Sequence, residues 1–182
     1  MILWDAAARM PLGKPLGGGV PCAAYGFSVD LAEAAVRAKR AAPPGHSGIG
    51  TTLSGNLLAM AAMRATLSTL MTEAVFAPMQ QRCEQLAGGL RKVIASHGLP
   101  WCVSQVGARC EFQFCAAPPR NGSQAEAAMD PALEQALHLF LLNRGVLITP
   151  FHNMMLVCPD TTDADIARLL DAFDEALHAL TA

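Results

Sequence analysis

Charge is scarce in this 182-residue chain: 15% of its residues are Asp, Glu, Lys or Arg, against 52% hydrophobic. A field of one sign is also lacking. Thirteen basic and 15 acidic residues leave a net charge of −2, which offers no basic surface for nucleic-acid phosphates. Aromatics, at 5%, are too few for a base-stacking platform. No apolar run is long and clean enough to span a bilayer, because the most apolar stretch, Leu53 to Leu70, is broken by Asn56 and Arg64. Met1-Ile2-Leu3-Trp4-Asp5 lacks a basic n-region and meets an acid too early for a signal peptide.

Several chemistries are missing as well. The six cysteines (Cys22, Cys83, Cys102, Cys110, Cys115, Cys158) show no CxxC spacing and sit among apolar neighbours. They read as buried free thiols of a reducing cytoplasm. No metal-spaced His/Cys/Asp/Glu set, Ser/His/Asp order or Walker pattern occurs, and His46, His97, His138 and His178 are scattered. A chain so apolar has surface to cover, most simply by oligomerisation.

What is present centres on Leu12-Gly13-Lys14-Pro15-Leu16-Gly17-Gly18-Gly19-Val20-Pro21. One lysine stands among glycines and is fenced by two prolines. Glycine lets backbone approach a ligand closely, and proline fixes the path on either side. A lysine desolvated in such a setting can offer the neutral amine that covalent carbonyl chemistry needs. A solvated lysine on a glycine-rich turn is the alternative from this stretch alone. A second stretch, Thr51-Thr52-Leu53-Ser54-Gly55-Asn56, leads into the helical run that begins Leu57-Leu58-Ala59-Met60.

Together, Gly-Lys-Pro-Leu-Gly-Gly-Gly-Val-Pro and Thr-Leu-Ser-Gly-Asn, with Thr52 lying 38 residues after Lys14, resemble the class III aminotransferases. That pyridoxal-phosphate family includes glutamate-1-semialdehyde aminomutase. The resemblance runs essentially the length of the chain. It implies a fold-type I α/β architecture, of which this chain supplies the end of the large domain and the C-terminal small α/β domain. It also implies that Lys14 carries the cofactor, pyridoxal 5'-phosphate, and that Thr52 contacts the cofactor phosphate across a homodimer interface. In the family more than half of the chain precedes the lysine, so this chain is expected to be the C-terminal portion. Taken alone it is expected to bind the cofactor weakly and not to turn over. The expected setting is a cytoplasmic homodimer acting on a small amino or keto compound, with no metal, nucleic acid or membrane. Two alternatives remain: a class III racemase, and a non-catalytic remnant that only dimerises.

Punctuation along the chain supplies the elements. Met10-Pro11-Leu12 ends a strand, Cys22 to Gly26 forms another, and Ser28 caps a helix from Val29 to Arg40. From Gly55 the pattern turns helical, and a break near Ala77-Pro78 starts a second helix stopped by Gly98. The helices between Asn56 and Lys92, with Met60, Met63, Met71 and Met79, are expected to make core and dimer contacts. Strands follow at Trp101–Val106 and Cys110–Cys115, and Pro118 to Ser123 reads as a loop. Asp130-Pro131 opens a helix ended by Gly145, two strands cover 146–149 and 154–158, and Thr162 with Asp165 caps the last helix. The expected domains are 1–52, closing the large domain; 53–80, a linking interface helix; and 81–182, the small domain. Two further residues are candidates. Arg109 interrupts an apolar strand with a planar fork suited to a substrate carboxylate, although a solvent-facing strand-edge arginine is equally ordinary. His152, in the Pro150-Phe151-His152-Asn153 connection, lies where the resembling family approaches its active-site mouth, although a lone histidine is more often a satisfied structural residue.

Overall fold

The computed structural model describes residues 10–46 and 53–182, with only the backbone at 10–12 and 14. The chain divides into two compact units, 1–72 and 73–182.

In the first unit β1 (Met10–Leu12) pairs antiparallel with β2 (Ala24–Gly26), Pro11 facing Tyr25. A single 3-10 turn, Lys14–Gly17, lies between them. Helix α1 (Val29–Ala41) starts where Ser28 Oγ accepts the Leu31 N–H at 3.3 Å, and it buries none of its residues. Helix α2 (Leu57–Thr69) is capped by Asn56, whose Oδ1 accepts from Leu58 N at 2.9 Å and Ala59 N at 3.2 Å. It packs on the 3-10 turn.

The second unit starts with the 24-residue helix α3 (Glu73–Ser96). The expected break at Pro78 is absent: the proline lies inside α3, and the chain instead breaks at 70–72. At the sixth helical position Pro78 removes only the bond to the Ala74 carbonyl, and burial of Cys83, Leu86, Ala87, Leu90 and Ile94 further on outweighs that loss. Strands β3 (Cys102–Val106) and β4 (Arg109–Gln113) form a hairpin about Gly107, and β5 (Met154–Leu156) pairs antiparallel with β4. The expected strand at 146–149 is not one. Its residues join no ladder, and the links across come from Thr149 alone, whose N–H donates to Met154 O at 3.1 Å and whose hydroxyl accepts from Met154 N at 3.2 Å. A short helix α4 (Gly122–Ala127), capped by Asn121, replaces part of the expected 118–123 loop. Helices α5 (Pro131–Leu142) and α6 (Asp163–Thr181) complete the unit.

Helices α3 and α6 pack together, and α3 lies on β3 and β4, so the core gathers Leu90, Phe112, Leu137, Leu141, Phe173 and Leu177. Phe112 and Phe173 meet with ring centroids 4.9 Å apart.

The cysteines are free, as expected, but not uniformly buried. Cys83 and Cys110 are core residues, and burial pushes both thiols up. Cys102 is pushed up to about 11, by desolvation and then by its hydrogen bond with Cys115. Cys158 is exposed, and the Thr161 hydroxyl at 3.4 Å holds its thiol below the ordinary range. No helix among the described residues is long and apolar enough to cross a membrane.

Candidate active site

The site begins with the backbone of Lys14. Gly13 precedes the 3-10 turn, and its carbonyl accepts Leu16 N–H at 3.0 Å. Pro15, early in the turn, has no N–H to satisfy and presets φ. Gly18 leaves the turn in the left-handed region, at φ 56, and donates back to Pro15 O at 3.3 Å. Leu16 and Gly17 are buried. A Cβ at Gly17 would stand 2.7 Å from Cys22 Sγ, and one at Gly18 would stand 3.0 Å from Thr66 Oγ1. Glycine is favoured at Gly18 by its φ, and at Gly17 because a Cβ would force the Cys22 side chain to move. Lys14 starts a turn whose path is fixed on both sides, the anchorage a residue that carries a cofactor needs.

Thr52 lies outside the described residues. What the structure does show is that the cap of α2 is Asn56, so that helix start does not call on Thr52 for its first amides.

Arg109 and His152, far apart in sequence, line one cavity of about 330 Å3 in the second unit. Strand alternation turns Cys110 and Phe112 into the core and leaves Arg109, Glu111 and Gln113 on the opposite face. Arg109 does not stand alone there. Its Nη2 lies 2.8 Å from Glu111 Oε2, while Glu111 Oε1 accepts from Gln113 Nε2 at 3.1 Å. Ser104 Oγ donates to Gln113 Oε1 at 3.2 Å and closes the row.

The opposite wall comes from α4, the start of α5 and the 149–153 connection. The Thr149 hydroxyl cinches that connection, donating to Phe151 O at 2.7 Å and accepting from Met154 N at 3.2 Å. The tight path puts His152 and Asn153 at φ 59 and 45, the only described non-glycine residues with positive φ. Asn153 is buried, and its Nδ2 donates to Phe112 O at 3.4 Å.

Sequence reasoning missed the most buried ionisable group of this wall. Glu134 is 8% exposed. The signal was available: Glu134, Leu137 and Leu141 form one helical stripe, and the two leucines are core residues. A larger cavity of about 410 Å3, lined by Leu86, Ile148, Met155, Val157, Ile166 and neighbours, is chiefly apolar. Its one carboxylate, Asp165, is committed to capping α6, so it offers no converging reactive groups. Among the described residues no group of three or more His, Cys, Asp or Glu is placed to hold a metal ion.

A family model for aminotransferase class-III matches residues 6–177. Glutamate-1-semialdehyde 2,1-aminomutase of Desulfosudis oleivorans is 34% identical over 162 residues, covering 88% of this chain and 36% of that protein. The enzyme of the same name from Desulfitobacterium hafniense is 34% identical over 170 residues, covering 93% and 38%. Among solved structures, a glutamate-1-semialdehyde-aminomutase from Pseudomonas aeruginosa PAO1, in complex with PMP, superposes with a TM-score of 0.89 at 42% identity. That match covers 95% of this chain and 39% of the other. A β-phenylalanine aminotransferase from Variovorax paradoxus gives 0.78 at 29% identity, covering 94% and 38%. The chain thus spans a little over a third of the length of these relatives, and its architecture is part of the fold-type I aminotransferase fold. By the family model over residues 6–177 and these likenesses, the chain belongs to the class-III aminotransferases.

Proposed function

We propose that this chain is the C-terminal part of a pyridoxal-phosphate-dependent aminotransferase or aminomutase, with Lys14 as the cofactor lysine. Such an enzyme moves an amino group between an amino compound and a carbonyl, or within one substrate. The observation that carries the reading is the anchorage of Lys14 at the head of a proline- and glycine-fixed turn. When bound, pyridoxal phosphate supplies an electron sink that makes the α-proton of an amino compound removable. Lys14 suits two tasks there: its amine is a nucleophile towards the cofactor aldehyde, and once freed it is a base that moves the proton at the α-carbon. A backbone fixed on both sides would present the residue at one place for both tasks. Thr52 is assigned to the cofactor phosphate through its hydroxyl and N–H. Arg109 and His152 are assigned to the edge of the substrate cavity, since they line the same one.

The working species in this reading is a cytoplasmic homodimer. Leu57 and Leu58 at the start of α2 are 85% and 70% exposed, apolar surface that a second copy would cover. Borohydride reduction of the chain with excess pyridoxal phosphate, followed by peptide mapping, is expected to label Lys14. A label on Lys92, or one spread over several lysines, overturns the assignment.

A further inference from the structure

Among the described residues two pairs of thiols meet. Cys83 and Cys110 share a hydrogen bond inside the core, at 0% and 1% exposure, sealed from any oxidant in solution. Cys102 and Cys115 meet where β3 begins, with their Sγ atoms 3.8 Å apart and both residues half-buried. Cys158 is more exposed than any of these, but the partner of its sulfur is the Thr161 hydroxyl.

The hairpin brings the second pair together. Cys102, the first residue of β3, faces Gln113, the last of β4, and Cys115 lies two residues past that ladder in a bend at 114–117. Strand pairing does not hold the backbone of the bend, so the sulfurs can close from 3.8 Å to the S–S bond length of about 2.05 Å. The two thiols differ in access. Cys115 Sγ donates to Ala117 O at 3.2 Å, and the residue lines a cleft of about 300 Å3 together with Pro119 and Gln124. Cys102 Sγ donates to Gln113 Oε1 at 3.5 Å, and desolvation, then its hydrogen bond with Cys115, pushes its thiol up to about 11. A thiol held protonated is a poor first nucleophile, whereas one that lines a cleft meets a small oxidant directly.

We propose that Cys102 and Cys115 form a dithiol that hydrogen peroxide oxidises to a disulfide, with Cys115 attacked first and Cys102 closing the bond. Cys115 gives its proton to water, and its sulfur attacks one peroxide oxygen. The S–O bond forms, the O–O bond breaks, and the hydroxide released takes up the proton to become water. Sulfur has lost two electrons to oxygen and stands as a sulfenic acid. Cys102 then gives up its proton and attacks that sulfur; the S–S bond forms, the S–O bond breaks, and the hydroxyl leaves with the proton as a second water. Two thiols and one hydrogen peroxide thus give one disulfide and two waters. A small thiol reverses the step by exchange, so in a reducing compartment the bond is transient. The closed bond ties the segment leading to α4, one wall of the Arg109 cavity, to the start of β3. It involves neither Lys14 nor Thr52, so its failure leaves their assignments standing, and theirs leaves it.

Peptide mapping tests this on the 182-residue chain, reduced, treated with hydrogen peroxide and then blocked with N-ethylmaleimide. Trypsin cuts after Lys92, Arg109 and Arg120, which puts Cys102 on peptide 93–109 and Cys115 on peptide 110–120. The two peptides are expected to be joined in most chains and to separate after dithiothreitol. Cys110 shares the second peptide, so fragmentation is used to place the bond on Cys115. Cys102→Ser is expected to abolish the joined pair and leave at Cys115 a sulfenic acid that dimedone labels. Cys115→Ser is expected to abolish the joined pair without a dimedone label on Cys102. A bond through Cys110, a bond between two chains, oxidation of Cys115 past sulfenic acid in place of the bond, or dimedone on Cys102 overturns the proposal. So does recovery of both thiols unoxidised while Cys158 is oxidised. Should a serine variant fail to fold by circular dichroism, the wild-type map decides, set against the same chain oxidised in urea. Bonds are expected to spread over other cysteines in urea, and the same spread in the folded chain overturns the proposal.

Discussion

The two units of this chain stabilise themselves to very different degrees. In the first, α1 buries nothing and α2 buries only Ala59 and Thr66 among the described residues, while Leu53, Leu57 and Leu58 stand in the open. In the second, one core unites three long helices and a three-stranded sheet, with Phe112, Leu90, Phe173 and Leu177 fully enclosed. The first unit has the segment that holds Lys14, the lysine proposed to carry the cofactor, yet little apolar burial of its own to hold it in place. Helical stability in proteins comes mainly from packing of an apolar face, so α1 and α2 need further surface to pack on. The second unit encloses a core of its own.

The comparison breaks most sharply in the core. Phe173→Ala removes a fully buried ring that touches Phe112, and it is expected to cost about 3–5 kcal/mol. Urea unfolding followed by circular dichroism reads that loss as an earlier midpoint for the second unit. Leu57→Glu with Leu58→Glu should leave that midpoint in place, since surface changes usually stay within about 0.5 kcal/mol. The pair should instead shift sedimentation towards a monomer. A midpoint that falls equally in both variants would show that the two units do not differ as described.

Two adjacent glycines of α3 sharpen the picture. A Cβ at Gly88 meets nothing within 4 Å, so Gly88→Ala gains only helix propensity, up to about 1 kcal/mol. A Cβ at Gly89 collides with the Leu170 side chain as far back as its Cγ, 3.2 Å away. Leu170 packs against the core from α6, so the whole side chain must move. Overpacking of this kind costs roughly 1–3 kcal/mol, which outweighs the propensity gain. Thermal melts are therefore expected to rise for Gly88→Ala and fall for Gly89→Ala. A rise for both would mean that α3 and α6 are less tightly apposed.

Local chemistry made much of this legible in the sequence. Ser28, Asp130-Pro131 and the Thr162/Asp165 pair mark helix starts because each satisfies orphan amides within a few residues. Gly98, Gly107 and Gly145 mark stops and a turn, and all three have positive φ. The lysine motif was legible for the same reason, since Pro15 and the glycines act on their own backbone. What escaped depends on partners distant in the chain. Pro78 stays helical because residues beyond it are buried, and 146–149 fails to become a strand because no neighbouring strand pairs with it. The cavity was invisible as a unit: Arg109, Glu134 and His152 meet only when β4, α5 and the 149–153 connection come together.

The smallest expected effect sits at the start of α6. Thr162 Oγ1 accepts from Asp165 N at 3.2 Å, and the Asp165 carboxylate receives the Thr162 hydroxyl at 2.7 Å and its N–H at 2.8 Å. The Thr162 hydroxyl, then its backbone N–H, holds the Asp165 carboxyl below the usual carboxylate range. A depressed folded-state value means the unfolded chain takes up the proton first on acidification. The contribution is therefore complete above the ordinary value, about 3.9, and is lost as pH falls through the lower folded-state value. Thr162→Ala removes one helix-capping acceptor and the stronger of the two donors to the carboxylate. It is expected to cost about 1 kcal/mol at neutral pH. Because the variant has less of the acid-labile contribution to lose, the gap between it and wild type should narrow as pH falls from about 6 to about 2. Unfolding midpoints across that range check the sign. A gap that stays constant would assign the loss to the hydroxyl alone and leave Asp165 without a part in the cap.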